Sequence, residues 1–342
     1  MKRTLALILA LTMALSLAAC GGKTTETPAQ TGSSGNSESQ QPADTAPVEP
    51  AAAWAPESNV EYIVGFAAGG GMDTMARAVA TYIDLDGQAS YVTNIEGSGS
   101  AVAGMEFYHR DPDGYSFYVS SPESQACNYC NGALTENLNA DCVPVASMCY
   151  DCNVICVGTN SPYNTMEELM DAAKANPGDI TFASISIGSY MHTSALSLME
   201  LTGLEFNYVP YDSAAKSRTA VIGGNEDVLW CQISEAKAYV ESGDLKILAT
   251  TTKDRTEYYP DIPTMEELGY PCEMGLHRSY WLPAGTPAEI VNYYDEALFA
   301  VYNNEEFREI ISGLGYVLMY NGPEEMTTIA AEVQAWAEDL LK

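Results

Sequence analysis

From residue 58 onward the chain alternates between short apolar runs and longer segments that carry one apolar face. VEYIVGF (60–66) is short and rich in β-branched and aromatic residues, which reads as a buried strand rather than a helix. Met72, Met75, Ala76, Val79, Ala80 and Ile83 then share one side of a helix. SYVTNI (90–95) is a second strand, GSAVAGMEFYHR (99–110) a helix stopped by DPDG (111–114), and YSFYVSS (115–121) a third strand. Further strands are expected at VPVASM and NVICVG within 143–158, and at DITFASI (179–185), FNYVPY (206–211), EDVLWC (226–231) and LKILATTT (245–252). Helical patterns fill about 165–176, 189–201, 216–224 and 234–243, and the chain closes with two long amphipathic helices at about 287–312 and 323–341. Regular β-α-β alternation predicts an α/β fold of parallel sheets covered by helices on both faces. No short internal repeat is visible.

Between the first strand and the first helix stands FAAGGGMDTMAR (66–77). A glycine-rich strand-to-helix turn bares helix N-terminal amides, which attract an anion. The nucleotide patterns fail here: there is no Lys followed by Ser or Thr, and after Gly69 and Gly71 the third fingerprint position is Thr74. ITFASISIGSYMHTSA (180–195) is a second turn of this kind, small and polar at Ser184, Ser186, Gly188 and Ser189. Ser189 is placed to cap the helix that follows. Two such turns, more than a hundred residues apart, predict a ligand gripped between two α/β lobes, beyond the carboxyl ends of the strands.

Composition sharpens this picture. Over 342 residues, 46% hydrophobic and 10% aromatic content supports a well-buried core, while 46 Asp and Glu against 15 Lys and Arg leave a net charge of −31. Such a balance excludes nucleic acid and adhesion to anionic lipid, and leaves a bound anion to be held by local amide dipoles. At the N-terminus, MKR precedes an apolar run too short to span a bilayer, and Leu17-Ala18-Ala19-Cys20 resembles a bacterial lipobox. The expectation is a signal peptide over 1–19, lipidation of Cys20, and residence on the extracytoplasmic face of the membrane through that anchor alone. Residues up to 57 are Gly, Ser, Thr, Pro, Gln and Ala without a period. They read as a flexible tether with a reach of roughly 35 Å.

Several motifs in order resemble the substrate-binding proteins of the tripartite tricarboxylate transporters, the Bug family. They are GFAAGGGMDTMAR (65–77), DPDGYSFYV (111–119), VPVAS (143–147), TMEELMDAAKANPGDITFAS (165–184), GSYMH (188–192) and FNYVPY (206–211), continuing through IGGNEDVLW (222–230), LKILATT (245–251), PDIPTMEELGY (260–270) and LPAGTPAEIV (282–291). The resemblance covers about residue 60 to the end and implies a two-lobed, type II periplasmic-binding-protein-like fold with crossing strands between the lobes. By position, lobe 1 would be 58–155 plus 277–342 and lobe 2 would be 156–276. It implies a non-enzymatic protein, without a cofactor, whose head is monomeric. That head closes on a small carboxylate and delivers it to large and small integral-membrane transporter subunits. Carried over by position, the first turn is Phe66, Ala67, Ala68, Gly69, Gly70 and Asp73, and the second is Ser184, Ser186, Gly188, Ser189 and His192; Gln232 belongs to a third wall.

This chain departs from the family pattern at Met72, at Ile187, Tyr190 and Met191, and at Cys231, where an Asp is common. The departures predict a more apolar pocket, for a mono- or dicarboxylate with an apolar or aromatic body rather than citrate.

Arg278, on a strand expected to cross between lobes, is a candidate for a distal carboxylate, or for a salt bridge between lobes. Asp73 suits the positive end of its helix. His192 either touches ligand or is hydrogen-bonded locally.

Cys127-x2-Cys130 and Cys149-x2-Cys152 have the spacing of a four-cysteine zinc site. Against this, residues three apart on a strand face opposite ways, and export favours disulfides; zinc, disulfides and buried thiols all stay open. With three histidines, no G-x-S-x-G elbow and no H-E-x-x-H, an enzyme finds no support. Two other readings of the head are a ligand-sensing input for a signalling kinase and a zinc-binding exported protein.

Overall fold

A computed structural model describes residues 54–341. The expected signal peptide, the expected lipidation site at Cys20 and the expected tether up to residue 53 lie outside the described residues.

The strands are β1 (Val60–Val64), β2 (Ser90–Asn94), β3 (Ser116–Ser120), β4 (Val143–Gly158), β5 (Thr181–Ile185), β6 (Asn207–Tyr211), β7 (Val228–Gln232), β8 (Leu245–Thr250), β9 (Gly275–Leu282) and β10 (Val317–Asn321). The helices are α1 (Gly71–Tyr82), α2 (Ala101–Tyr108), α3 (Pro122–Cys130), α4 (Leu138–Asp141), α5 (Met166–Ala175), α6 (Tyr190–Thr202), α7 (Ala214–Ile222), α8 (Ile233–Glu241), α9 (Ala288–Tyr302), α10 (Glu305–Gly313) and α11 (Pro323–Leu340).

One strand organises the rest. The first part of β4 pairs antiparallel with β9 and β10, and its last six residues, Asn153 to Gly158, pair with β7 and β8. On one side, β1 lies parallel between β2 and β3, and β3 joins β9. On the other, β5 lies parallel between β6 and β7. Two small α/β sheets therefore share β4, and β9 pairs with its first part, between β3 and β4.

Alternation along each strand buries both faces of both sheets. In β1, Tyr62 and Val64 join the core beneath α1, α9 and α10, while Ile63 points into the opposite core with Phe107, Tyr118 and Trp281. In β7, Val228 and Trp230 pack with α5 and α6, while Leu229 and Cys231 pack against α8.

The structure alters the sequence pattern in several places. VPVASM and NVICVG are one 16-residue strand, because the residues between them are nearly all buried with them. The expected 287–312 helix breaks after Tyr302, where Asn304 accepts the Phe307 N–H and starts α10 afresh. Helix α3 and strand β10 were not anticipated; α3 begins on a Ser121 cap followed by Pro122 at its first position. The folded part also starts before residue 58, since Trp54 packs against Tyr115, Tyr293 and Tyr294.

Candidate functional site

The two glycine turns adopt one conformation. In the first, Gly69 has φ +82° and Gly70 caps α1 at φ −74°, ψ 167°; in the second, Gly188 has φ +84° and Ser189 caps α6 at φ −72°, ψ 165°. The Gly70 N–H donates to Ala67 O at 3.2 Å, and the Ser189 N–H donates to Ser186 O at 3.2 Å. Each positive φ requires glycine at little cost. Each turn leads directly into a helix whose first amides have no acceptor within the helix.

The supports of the two turns also correspond. A side chain from the neighbouring parallel strand holds the carbonyl three residues before each left-handed glycine. Asn94 Nδ2, at the end of β2, donates to Phe66 O at 2.9 Å, and Tyr208 Oη, on β6, donates to Ile185 O. The residue four positions after each glycine reaches back to its N–H. Asp73 Oδ2 accepts from Gly69 N at 2.8 Å, and His192 Nδ1 accepts from Gly188 N at 3.4 Å.

The chemistry of these anchors differs. Asp73 is 2% exposed and also accepts from Arg77 Nε at 3.0 Å and Asn94 Nδ2 at 2.9 Å. Burial raises its pKa, but the bonds from Arg77, Gly69 and Asn94 outweigh burial and hold the carboxyl below its ordinary value. His192 packs edge-on against Tyr208, with centroids 4.8 Å apart, and burial lowers its pKa, so the ring is neutral at pH 7. Turn 2 is further fastened by Asn131, just past α3, whose Nδ2 donates to Gly188 O at 2.5 Å.

The remaining predicted residues separate into exposed and buried sets. Ala67, Ala68, Gly69 and Ser186 are exposed; Phe66, Gly70, Gly188, Ser189 and His192 are half-buried. Ser189 Oγ caps the His192 N–H at 3.3 Å and donates to Ser186 O at 2.7 Å. Ser184 is turned away from the surface, with its hydroxyl donating to Trp230 O at 2.7 Å. Gln232 is 4% exposed and its amide meets Met191 Sδ. Of the residues expected to make the pocket apolar, Met72, Tyr190 and Met191 are core residues because first-turn side chains point back onto the sheet, and Cys231 faces the core from β7. Ile187, at the tip of turn 2, is 69% exposed.

Arg278 is part of the floor. It is buried and forms a short ion pair with Asp151 Oδ2. Asp151, fully buried on β4, also accepts Ser234 Oγ at 2.7 Å and Ser234 N at 3.2 Å. A methyl group on Gly71 would lie 2.9 Å from both Arg278 Nη2 and Tyr316 Oη, which places the guanidinium directly under the start of α1. Ser234 lies two residues beyond Gln232, the cap of α8, and Gln232 touches α6. The starts of α1, α6 and α8 are therefore linked through Arg278, Asp151 and Gln232.

Sequence reasoning missed Asp151 and Ser234, although Asp151 is the only charged residue in the 16 of β4. An unpaired carboxylate cannot be buried there cheaply, and that alone asks for a cation.

The cysteines do not form a site. Cys127, Cys149 and Cys152 lie in three different cores, so the four residues with zinc spacing do not converge. The described cysteines other than Cys130 are free thiols, and no cluster of three or more His, Cys, Asp or Glu among the described residues is placed to hold a metal ion. A cavity of about 1100 Å³ lies between the 252–258 segment, β10 and α11; Tyr190 at the start of α6 lines it, but none of the exposed turn residues does. No helix among the described residues is long and apolar enough to cross a membrane.

Residues 75–342 match the family described as the tripartite tricarboxylate transporter family receptor. The chain is 29% identical over 308 residues to protein BugT of Bordetella pertussis, covering 86% of this chain and 89% of that protein. Among solved structures it is similar to the periplasmic binding protein BugD, at 27% identity and TM-score 0.73, over 83% of this chain and 97% of that one. It is also similar to Rpa4515 of R. palustris, solved with adipate, at 25% identity and TM-score 0.75, over 83% and 96%. The architecture is that of the type II periplasmic binding proteins.

Proposed function

The chain belongs to the tripartite tricarboxylate transporter receptor family, whose members are periplasmic solute-binding proteins, and from that premise we propose that it captures a small carboxylate between its two glycine turns. The observation that carries this reading is the repetition of one turn geometry at Gly69-Gly70 and Gly188-Ser189, one on each sheet. Two helix N-termini facing one oxyanion supply several N–H donors and two aligned dipoles without a charged side chain. Ala67, Ala68, Gly69 and Ser186 present backbone to solvent, and a carboxylate at this mouth meets little side-chain bulk.

Closure is a rotation of the sheets about β4, the strand they share. Ligand would favour the closed form by contacting both turns at once. LAAC at 17–20 supports a lipid anchor at Cys20, with the head held on the extracytoplasmic face and passing ligand to large and small membrane subunits of a secondary transporter. Exposed Ile187 supports a ligand body that is apolar.

The test is a thermal-shift panel on protein stripped of ligand by unfolding and refolding, comparing carboxylates with their matched amides. Ligand at about a hundred times its Kd should add about 2.7 kcal/mol of stability. A shift with an acid and none with its amide supports the grip; no shift with any acid rejects it.

A further inference from the structure

We propose that Asn131 is a positioning residue for ligand capture: it clasps turn 2 to the sheet of β1–β3 and holds the two glycine turns in register before ligand arrives. This rests on the carboxylate reading above and deepens it, by naming the side chain that sets one turn against the other.

Helix α3 leaves the end of β3, and its bonds tie it to the first sheet. At its start Glu123, 5% exposed, accepts the His277 backbone N–H at 3.2 Å and meets His277 Nδ1 at 2.6 Å, on β9. Near its end Asn128 Nδ2 donates to Gly99 O at 2.7 Å and to Ser100 Oγ at 3.3 Å. These belong to the turn between β2 and α2, where Gly97, Ser98, Gly99 and Ser100 have φ of 144°, 46°, 60° and 81°. That turn abuts the base of turn 1, since a methyl group on Gly65 would lie 2.3 Å from Ser100 Cβ. Asn128 is therefore fixed to the ground on which turn 1 stands.

Three residues later, Asn131 reaches the other sheet. Its Oδ1 accepts the Ala133 N–H at 2.9 Å, which commits the oxygen and leaves Nδ2 to donate to Gly188 O at 2.5 Å. Residues three apart share a helix face. Along that face two amides thus hold two left-handed glycines, Gly99 beside turn 1 and Gly188 in turn 2.

The bond to Gly188 has the character of a clasp. Asn131 is exposed and Gly188 half-buried, so parting them hands both groups to water at little net cost. Asn131 also stands roughly 12 Å along the helix from Glu123. A rotation of about 15° around the Glu123 end moves it by roughly 3 Å, which parts a hydrogen bond. Cys127, halfway along, moves about half as far and stays packed in the core of α6 with Met191. With the clasp lost, less of the ligand-free protein has both turns in place, and the apparent affinity falls by the same factor.

The test compares wild type, Asn131→Ala and Asn137→Ala by isothermal titration with adipate and with benzoate, after ligand is stripped by refolding. Asn137 caps α4 through the Ala140 N–H at 3.3 Å and serves as the control for a merely structural loss. Asn131→Ala should weaken whichever acid binds by about fivefold, and Asn137→Ala by less than about twofold. No loss in Asn131→Ala, or an equal loss in both variants, overturns the clasp and leaves the carboxylate reading intact.

A second arm needs no ligand. Residual dipolar couplings of the backbone amides give the orientation of the β1–β3 sheet relative to the β5–β7 sheet. Wild type should keep the orientation of the structure, and Asn131→Ala should turn the sheets apart. One shared orientation in both proteins overturns the clasp. If neither acid binds wild type, that counts against the carboxylate reading, and the couplings decide the clasp by themselves.

Discussion

Turn 1 and turn 2 have the same backbone and different foundations. Around Gly69 every support is a hydrogen bond to an ionised group or from an amide: Asp73 collects Gly69, Arg77 and Asn94. Around Gly188 the supports are neutral: His192 accepts one long bond and leans on Tyr208, and Asn131 reaches in from beyond α3. The comparison teaches that a positive-φ glycine before a helix cap is the functional unit, and that its anchor is open to variation. An ionised anchor resists disturbance down to acid pH; a neutral imidazole holds more weakly and titrates nearer neutrality.

The largest expected effect falls on the link between the turns. Arg278→Met leaves Asp151 buried without its cation and should cost about 3–5 kcal/mol, read by urea denaturation. Such a loss unfolds both turns together; a cost below about 1 kcal/mol would show that the floor is not a shared foundation.

The next effect is one of pH. Glu235, at about 7, binds a proton in the folded state that the unfolded chain has already released above its ordinary 4.5. Its contribution therefore falls as pH rises from 4.5 towards 7, by an amount on the order of 3 kcal/mol. Glu235→Gln should remove that part of the stability–pH curve, and an unchanged difference curve would contradict the assignment.

The anchors themselves come third. Asp73→Asn should cost about 2 kcal/mol, because a charged acceptor of several bonds is lost, while His192→Ala should cost about 1 kcal/mol or less. The pH windows separate them further. Asp73 has a depressed pKa, so its contribution is complete above 3.8 and is lost as pH falls through its folded value. His192 is also depressed, but from 6.5: the unfolded chain takes up a proton first, so stability falls as pH drops below 6.5. Acid should therefore weaken turn 2 before turn 1, and His192→Asn, which retains an acceptor, should remove the earlier step.

The smallest effect compares the glycines directly. Gly69→Ala meets no atom within 4 Å and carries backbone strain alone, about 1–2 kcal/mol, whereas a methyl on Gly188 also meets Asn131 Nδ2 at 3.1 Å. Gly188→Ala should be the worse of the two by a few tenths of a kcal/mol, with both weakening carboxylate binding.

Much of this was legible in the sequence, because local rules governed it. β1, β5 and β7 were read from apolar runs, and Ser189 from its place before a helical face. The equivalence of the turns was not legible: FAAGG (66–70) and ISIGS (185–189) share only one glycine at the same place, and backbone angles leave no further trace in side chains. Met72, Tyr190 and Met191 were placed at the ligand because they adjoin the glycines in sequence, but a helix directs its first side chains back to the core. Asp151 and Arg278 pair across 127 positions; each is a lone charge in a buried strand, and only the antiparallel register of β4 and β9 brings them together.

The most direct test of the central claim is a set of backbone amide spectra of the ¹⁵N-labelled protein, recorded with and without a carboxylate that shifts its melting temperature. The account predicts that the amides of 67–72 and 187–191 move together, with one shared affinity, and that the matched amide ligand moves neither set. Shifts confined to one turn, or found instead around the cavity between 252–258 and α11, would contradict it.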